Sequence, residues 1–181
     1  MTEVPRSPVR VRPATADDIP AITALYAREV AEGVATYEVE APDATAMGDR
    51  WRAITTQGYP YLVAELDGRL AGYAYASSYR TRAGYRWTVE DTVYVDAECA
   101  GRGVGRSLLD ALIHACQALG FRQMIAVVGD RQNAASIALH ESFGFRVVGI
   151  FEGIGRKHGR WLDGVQMQRP LGDGSTTPPA R

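Results

Sequence analysis

Three glycines within five residues form the part of this sequence best suited to bind an anion. They lie in the run Ala100-Gly-Arg-Gly-Val-Gly-Arg-Ser107, between a strand-like stretch and an apolar helix pattern. Glycine lets the backbone approach a ligand closely, so that consecutive N–H groups converge on it, and a helix N-terminus adds partial positive charge. Arg102 and Arg106 can supply charge-assisted hydrogen bonds. The pattern favours a phosphate or pyrophosphate, although a turn that merely lets strand and helix pack closely has the same composition.

Two common phosphate-binding motifs do not fit this loop. A P-loop needs Gly-Lys-Ser/Thr, whereas the single lysine, Lys157, is followed by His158. The dinucleotide motif Gly-x-Gly-x-x-Gly needs a third glycine where the chain has Arg106 or Leu108, and no acidic residue follows about 20 positions later. The sequence thus excludes a P-loop and disfavours a nicotinamide cofactor.

Charge and cysteine content narrow the class of protein further. The 181 residues carry 20 basic and 21 acidic side chains, and all basic residues but one are arginines dispersed among acids. Nucleic-acid binding needs a basic surplus or stripe, because phosphate contacts supply most of its affinity. Residues 1–8 contain no apolar stretch typical of a signal sequence, and no run of 18 apolar residues occurs, so we expect neither a signal sequence nor a membrane span. Cys99 and Cys116 are too few for a disulfide scaffold and lack metal-ligand spacing. We expect a soluble, cytoplasmic protein with no metal and with no nucleic-acid or membrane partner.

Hydrophobic periodicity predicts one domain over residues 9–171, with flexible tails at 1–8 and 172–181. The predicted elements are strand 9–12, helices of about 15–30 and 44–56, strands 61–66, 69–79 and 88–95, helix 105–119, strand 123–128, helix 134–143, and strands near 145–152 and 162–169. This order, βααβββαβαββ, predicts an α/β (α+β) fold. Its mixed sheet would have about seven strands, helices on both faces, and a parallel step between the strands at 88–95 and 123–128.

The glycine loop and three further segments resemble the GCN5-related N-acetyltransferase (GNAT) superfamily. The loop matches the cofactor motif Gln/Arg-x-x-Gly-x-Gly/Ala at the start of the superfamily's third helix. Within the superfamily, Tyr85–Val95, Asn133–Phe145 and Lys157–Asp163 are similar to the phosphinothricin and methionine sulfoximine acetyltransferases. The resemblance covers about residues 9–171 and implies the GNAT fold with acetyl-CoA as co-substrate.

The resemblance also implies where acetyl-CoA binds. Its pyrophosphate would lie on Gly101, Arg102, Gly103, Val104, Gly105 and Arg106, and its pantetheine arm on the backbone of Val93, Tyr94 and Val95. Asn133 would steady the pantetheine end, and it is equally suited to cap the helix that follows. One departure is Ala100, which stands where the superfamily has Gln or Arg. The backbone donors of the loop survive that change.

Acetyl transfer to an amine needs a base, because most free amines are protonated at neutral pH. Glu90 lies in a strand that ends at the cofactor loop, although a glutamate between Thr88 and Thr92 is also typical of a solvated strand face. The resemblance places the catalytic carboxylate at Glu90, and Asp91 would face the opposite side of a regular strand. One N–H group of residues 93–95 would polarise the thioester carbonyl.

The departing thiolate needs a proton, which a tyrosine usually supplies in this superfamily. His140 stands at the matching position and could donate the proton, or it could simply pack in the structure. Cys99 precedes the phosphate loop, far from the expected acetyl group. We therefore expect direct transfer without a cysteine-bound intermediate.

Substrate contacts are expected just before the Glu90 strand. Arg80 or Arg82 could bind an α-carboxylate through two hydrogen bonds, and Tyr85 and Trp87 could wall the pocket. Tyr37 is a further candidate for the wall. The Lys157–Asp163 segment is expected to be a late loop that closes the site or contacts another subunit.

These features predict acetylation of the α-amino group of a small glutamate- or methionine-like amino acid, such as phosphinothricin, methionine sulfoximine or methionine sulfone. The alternatives are another small amine or a protein amine as substrate, and a non-catalytic module that senses acyl-CoA. A nucleic-acid-binding domain ranks last. The family also suggests a homodimer.

Overall fold

The computed structural model describes residues 8–179, and in that range seven strands form one mixed sheet in the order β1-β2-β3-β4-β5-β7-β6. The strands are β1 (Arg10–Pro13), β2 (Tyr61–Leu66), β3 (Arg69–Ser78), β4 (Thr88–Val95), β5 (Gln123–Val128), β6 (Arg146–Lys157) and β7 (Arg160–Pro170). The helices are α1 (Ile19–Glu32), α2 (Ala44–Thr56), α3 (Val104–Ala118) and α4 (Ala134–Ser142). The predicted fold class and element order are confirmed.

The two faces of the sheet carry separate cores, and β4 contributes to both. Val89 belongs to the core beneath α3, whereas Tyr94 borders the core beneath α1 and α2. Side chains alternate along a strand, so Glu90 lies on the α1–α2 face and Asp91 on the α3–α4 face. The expectation that Glu90 and Asp91 face opposite sides is confirmed.

Strands β4 and β5 form the parallel pair predicted from the β–α–β step, and their pairing stops midway. It runs from Thr88 beside Gln123 to Asp91 beside Ala126. Beyond that point β4 continues beside β3, and β5 continues beside β7. The strands therefore separate into a cleft, and one edge of residues 92–95 has no strand partner. Such a position at the carboxyl ends of parallel strands is where α/β folds commonly bind ligands.

The C-terminal hairpin is longer than the sequence predicts. Strands β6 and β7 meet at His158 and Gly159, whose φ angles of 48° and 78° fit a two-residue hairpin turn. The segment Lys157–Asp163, expected as a loop, is therefore the turn with the ends of two strands. Irregular pairing between Phe151 and Gly155 interrupts the alternation along β6, so the period-two signal ends too early.

Residues 1–7 and 180–181 of the predicted tails lie outside the described residues. Residues 172–177 follow β7, and Arg122 donates hydrogen bonds to the carbonyls of Gly174 (2.7 Å) and Thr177 (2.8 Å). The domain limits and the flexibility of the tails stay predictions. Between residues 8 and 179, no helix combines the length and apolar character needed to cross a membrane.

Candidate active site

A cavity of about 500 Å³ opens where the cleft of β4 and β5 meets the start of α3. The first hydrogen bond within α3 joins the Ser107 N–H to the Gly103 carbonyl, at 3.0 Å. The N–H groups of residues 103–106 precede that bond and have no acceptor inside the helix. All four residues line the cavity. These donors and the helix dipole are suited to bind an anion, and they lie where the sequence predicts the pyrophosphate.

The three glycines of the loop have two different roles. Gly101 and Gly103 have φ angles of 70° and 86°, a left-handed conformation that favours glycine. Gly105 instead permits close packing, because an added Cβ would lie 3.2 Å from Leu139 Cδ2 and 3.4 Å from Val95 Cγ2. The loop therefore needs glycine both to turn and to let α3 approach α4 and β4.

The two arginines of the loop point in different directions. Arg106 lines the cavity, and its guanidinium lies over the ring of Phe143, 5.1 Å from the centroid. Arg102 pairs with Asp67 at 2.8 Å, in the β2–β3 turn, and does not line the cavity. The expected side-chain contribution of Arg102 to the phosphate site is therefore not present in this conformation, because the nearer carboxylate engages its guanidinium.

A second cavity, of about 220 Å³, lies deeper along β4 and contains Glu90. It shares Val93, Tyr94, Asn133 and Ser136 with the first cavity, so that the two are continuous. Asn133 also caps α4, since its Oδ1 accepts a hydrogen bond of 3.1 Å from the Ser136 N–H. Asn133 therefore caps α4, and its location in both cavities also suits contact with the pantetheine end.

Glu90 has the properties of a base. Burial raises the pKa of its carboxyl above the usual value, and the neighbouring Asp91 carboxylate raises it further. No hydrogen bond from the described residues reaches this carboxylate, although its side chain lines the cavity. A partly desolvated carboxylate that faces a cavity can accept a proton from a bound molecule.

His140 lies beneath the same cavity in a buried pair with Asp91. Its Nε2 is 3.1 Å from Asp91 Oδ2, and its Nδ1 is 2.7 Å from the Ser136 carbonyl oxygen. Burial lowers the pKa of the imidazole, but the hydrogen bond and charge of Asp91, together with the Ser136 carbonyl, raise it above the usual value. Both neighbours are acceptors, so the pair favours the doubly protonated ring. Packing and chemistry are therefore compatible roles for His140.

The predicted substrate arginines lie at one end of the sheet, in the connection between two central strands. Arg80 and Arg82 are exposed between β3 and β4, and neither lines the Glu90 cavity. The guanidinium of Arg80 lies 5.8 Å from the ring centroid of Tyr85. Tyr37 does line the cavity, and its hydroxyl lies 2.9 Å from the Gly129 carbonyl and 2.8 Å from the Asp163 carbonyl. The structure thus brings Tyr37 to Glu90 but leaves Arg80, Arg82 and Tyr85 apart from it.

Residues on the α1–α2 side of the site were missed by the sequence reasoning. Thr36 lines the Glu90 cavity, and its hydroxyl lies 2.8 Å from that of Tyr26. Behind them, Arg50 of α2 pairs with Glu38. One signal could have identified this face, because alternate positions of β2 and β3 carry Tyr61, Tyr73 and Tyr75.

The tip of the β6–β7 hairpin holds the 33–37 loop over the site. Lys157 is 4% exposed, and its Nζ lies 3.0 Å from the Thr36 carbonyl and 3.4 Å from that of Glu29. His158 Nε2 lies 3.1 Å from the Gly33 carbonyl. The segment expected to close the site thus contacts the 33–37 loop, which forms part of the wall of the Glu90 cavity.

Cys99 is buried and lines the cofactor cavity but not the Glu90 cavity. Residues 8–179 contain no group of three or more His, Cys, Asp or Glu side chains arranged to hold a metal ion. Glu90 and the His140–Asp91 pair are among the titratable groups that line the Glu90 cavity.

A cleft between separating parallel strands, with a helix N-terminus at one end and a half-buried carboxylate at the other, suits a protein that transfers an acyl group from a coenzyme A thioester. Comparison of the sequence assigns the family. Residues 11–165 match the acetyltransferase (GNAT) domain, and the chain belongs to that family. The protein is therefore an acetyltransferase with acetyl-CoA as its co-substrate.

Several relatives are similar over nearly their whole length. A phosphinothricin N-acetyltransferase of Alcaligenes faecalis is 50% identical over 98% of this chain and 90% of its own. An L-methionine sulfoximine/L-methionine sulfone acetyltransferase of Pseudomonas aeruginosa is 40% identical over 89% of this chain and 94% of its own. The crystal structure of a GNAT superfamily phosphinothricin acetyltransferase from Sinorhizobium meliloti, in complex with acetyl-CoA, has a TM-score of 0.93 and 48% identity, covering 96% of this chain and 94% of that one.

Proposed function

We propose that the protein acetylates the α-amino group of a small glutamate- or methionine-like amino acid, such as phosphinothricin, methionine sulfoximine or methionine sulfone. The observation that carries the proposal is the position of Glu90, which lines a small cavity that has room for an amine and is continuous with the cofactor cavity. The names of the similar enzymes supply the substrate class.

In the proposed first step, Glu90 removes a proton from the substrate ammonium, directly or through a water molecule. The amine lone pair then attacks the carbonyl carbon of the thioester and forms the C–N bond. The open backbone edge of Val93, Tyr94 and Val95 donates a hydrogen bond to the oxyanion. Support for this step comes from the unpaired edge of β4 and from the raised pKa of Glu90.

In the second step the oxyanion re-forms the C=O bond, the C–S bond breaks, and the new amide nitrogen gives its remaining extra proton to water. The coenzyme A thiolate takes a proton from His140, which regains one from the solvent. The raised pKa of the imidazole, which favours its protonated form, supports this role. Cys99 lies outside the Glu90 cavity, which favours direct transfer. We propose Arg80 and Arg82 as ligands of the α-carboxylate beside Tyr85, because neither guanidinium has a carboxylate partner among the described residues.

The test is the release of free thiol from acetyl-CoA with each of the three named compounds, a panel of other amines, and no amine. We expect release only with an accepting amine, and Glu90→Gln should lower kcat by about 10²–10⁴-fold, as for the loss of a general base. Glu141→Gln, an exposed carboxylate on α4, is the matched control and should retain full activity.

Two results would contradict the proposal. Turnover confined to other small amines or to protein amines would reassign the substrate. Acetyl-CoA binding without turnover of any amine would favour a sensor.

We further propose that the protein is a homodimer that uses the β6–β7 hairpin. Strand β6 is an outer edge of the sheet, and six large apolar side chains of this hairpin are exposed, namely Val147, Val148, Ile150, Phe151, Ile154 and Trp161. An edge strand with an apolar surface is suited to pair with another chain. Light scattering should give a dimer mass for the native protein and a monomer mass for Phe151→Glu. Leu119→Glu, at an exposed apolar residue next to the end of α3, should remain a dimer.

We also propose a cytoplasmic location, where acetyl-CoA is available and thiols stay reduced. Support comes from Cys99 and Cys116, which are both unpaired and buried. Fractionation should place the native protein with the cytoplasmic markers, and recovery from a secreted or membrane fraction would contradict it.

A further inference from the structure

A small pocket on the α1–α2 face lies beside the Glu90 cavity and has no part in the mechanism above. Its volume is about 70 Å³, and its floor and walls are largely tyrosine rings. We call it the tyrosine pocket, defined by Tyr26, Tyr61, Tyr73 and Tyr75. The rings of Tyr61 and Tyr75 stack with centroids 4.9 Å apart, which gives the pocket flat and rigid walls.

Arg50 and Glu38 close the mouth of the tyrosine pocket. Arg50 Nη1 lies 2.7 Å from Glu38 Oε1, and Nη2 lies 3.2 Å from Oε2, so the pair is bidentate. The side chains are 46% and 37% exposed, respectively. A solvated ion pair of this kind contributes little stability, so an incoming anion can replace its carboxylate.

Two contacts connect the tyrosine pocket with the catalytic cavity. Tyr75 lies beside Thr92 in the β3–β4 register, and Thr92 lines the Glu90 cavity. The Tyr26 hydroxyl lies 2.8 Å from that of Thr36, which lines the same cavity. Glu90 and Thr92 share one face of β4, so an amino acid whose amine lies at Glu90 can extend its side chain along that face toward the pocket.

We infer that the tyrosine pocket binds the side chain of the acceptor amino acid, and that Arg50 binds an acidic group on that side chain in exchange for Glu38. The inference rests on the proposed function and assigns the substrate class within it: amino acids with a carboxylate or phosphinate on the side chain. A guanidinium binds either group through two hydrogen bonds. Glu38 competes with the ligand for Arg50 and thereby sets the preference between acidic and neutral side chains.

The test compares Arg50→Gln with Glu38→Gln on two acceptors, phosphinothricin with its anionic side chain and methionine sulfone with its neutral one. Arg50→Gln should raise KM for phosphinothricin by about tenfold or more, the effect of losing a charge-assisted hydrogen bond. Glu38→Gln should lower that KM, because the competing carboxylate is gone. KM for methionine sulfone and for acetyl-CoA should change by less than about twofold in either variant, well below the effect of a hydrogen bond to a charged group.

KM for phosphinothricin should rise in one variant and fall in the other. This difference separates ligand binding from a structural role, because loss of a merely structural ion pair would change KM in the same direction in both variants. The same direction of change in both variants, or equal changes for acidic and neutral acceptors, would overturn the inference. Calorimetry measures the Kd of phosphinothricin for the same variants without acetyl-CoA, and so tests the pocket assignment separately from the proposed function. If Kd rises in Arg50→Gln and falls in Glu38→Gln while no acceptor turns over, the pocket assignment stands and the proposed function fails.

Discussion

At the scale of single residues, burial gives Glu90 its basicity and also lowers the stability of the fold. A carboxyl whose pKa is raised on folding ionises less readily in the folded chain. The folded state therefore loses stability as pH rises above the ordinary carboxyl pKa, and the full loss is present above the raised value. Glu90→Gln removes this charge and should melt at the same or a higher temperature than the native protein near pH 7.5.

Near pH 3, below the ordinary carboxyl pKa, the carboxyl is protonated in both states and the two melting temperatures should converge. The test is to compare the melting temperatures of the native protein and Glu90→Gln at both pH values. A variant that is less stable than the native protein at neutral pH would contradict the burial argument.

Asp91 acts on both groups that the mechanism needs. It raises the pKa of Glu90 through its charge, and it raises the pKa of His140 against the opposing effect of burial. The kcat profile should therefore rise as Glu90 ionises and fall as His140 loses its proton. In Asp91→Asn both limbs should move to lower pH, because the charge that raises both pKa values is gone.

The pH profile of kcat in Asp91→Asn tests this coupling, and acetyl-CoA should be saturating throughout. The conservative amide keeps the shape of the side chain, so a shift in pH reports charge and not packing. An alkaline limb that stays in place would remove His140 as the proton donor.

At the scale of elements, the junction of β4 and α3 positions the cofactor because α3 can approach α4 closely. Gly105 makes that approach possible, since its Cβ position is 3.2 Å from Leu139 Cδ2. Gly105→Val should push the helix N-terminus away from the cavity and raise KM for acetyl-CoA by about tenfold, the effect of weakening hydrogen bonds to a charged group. KM for the amine should change little. Gly105→Ala, whose one methyl meets only the ends of the Leu139 and Val95 side chains, is the matched control with a smaller effect.

The same elements show what a sequence can predict. The strand Thr88–Val95 and the loop after it follow from local signals, because β-branched residues, glycines and a helix start are adjacent in the chain. The carboxylate partner of Arg102 and the neighbours of Arg50 belong to other elements of the fold, and no spacing in the sequence reveals those contacts. The predicted length of β6 was too short for a local reason, because irregular pairing near Gly155 breaks the alternation that marks a strand.

At the scale of the whole molecule, positive charge is distributed in small local groups. Arg28 and Arg69 pair with the buried Asp96, and Arg160 pairs with the buried Asp130. Nine of the 17 described arginines pair with a carboxylate, and Arg80 and Arg106 are among the eight that do not. This distribution suits a small anionic ligand better than a polyanion, which needs a continuous basic surface.

One buried lysine connects the C-terminal hairpin, which is distant in the sequence, with the wall of the Glu90 cavity. Lys157 is buried and donates to the carbonyls of Thr36 and Glu29, so it fixes the 33–37 loop that carries Tyr37. Lys157→Met keeps the length of the side chain but leaves the Thr36 carbonyl without a donor among the described residues, at a cost of about 1–3 kcal/mol in unfolding free energy. The Glu29 carbonyl keeps its hydrogen bond from the Gly33 N–H. Denaturant unfolding should show that loss, and steady-state kinetics should show a higher KM for the amine with an unchanged KM for acetyl-CoA. A loss of stability without any change in the amine KM would limit Lys157 to a structural role, because a wall that keeps its position would keep its affinity.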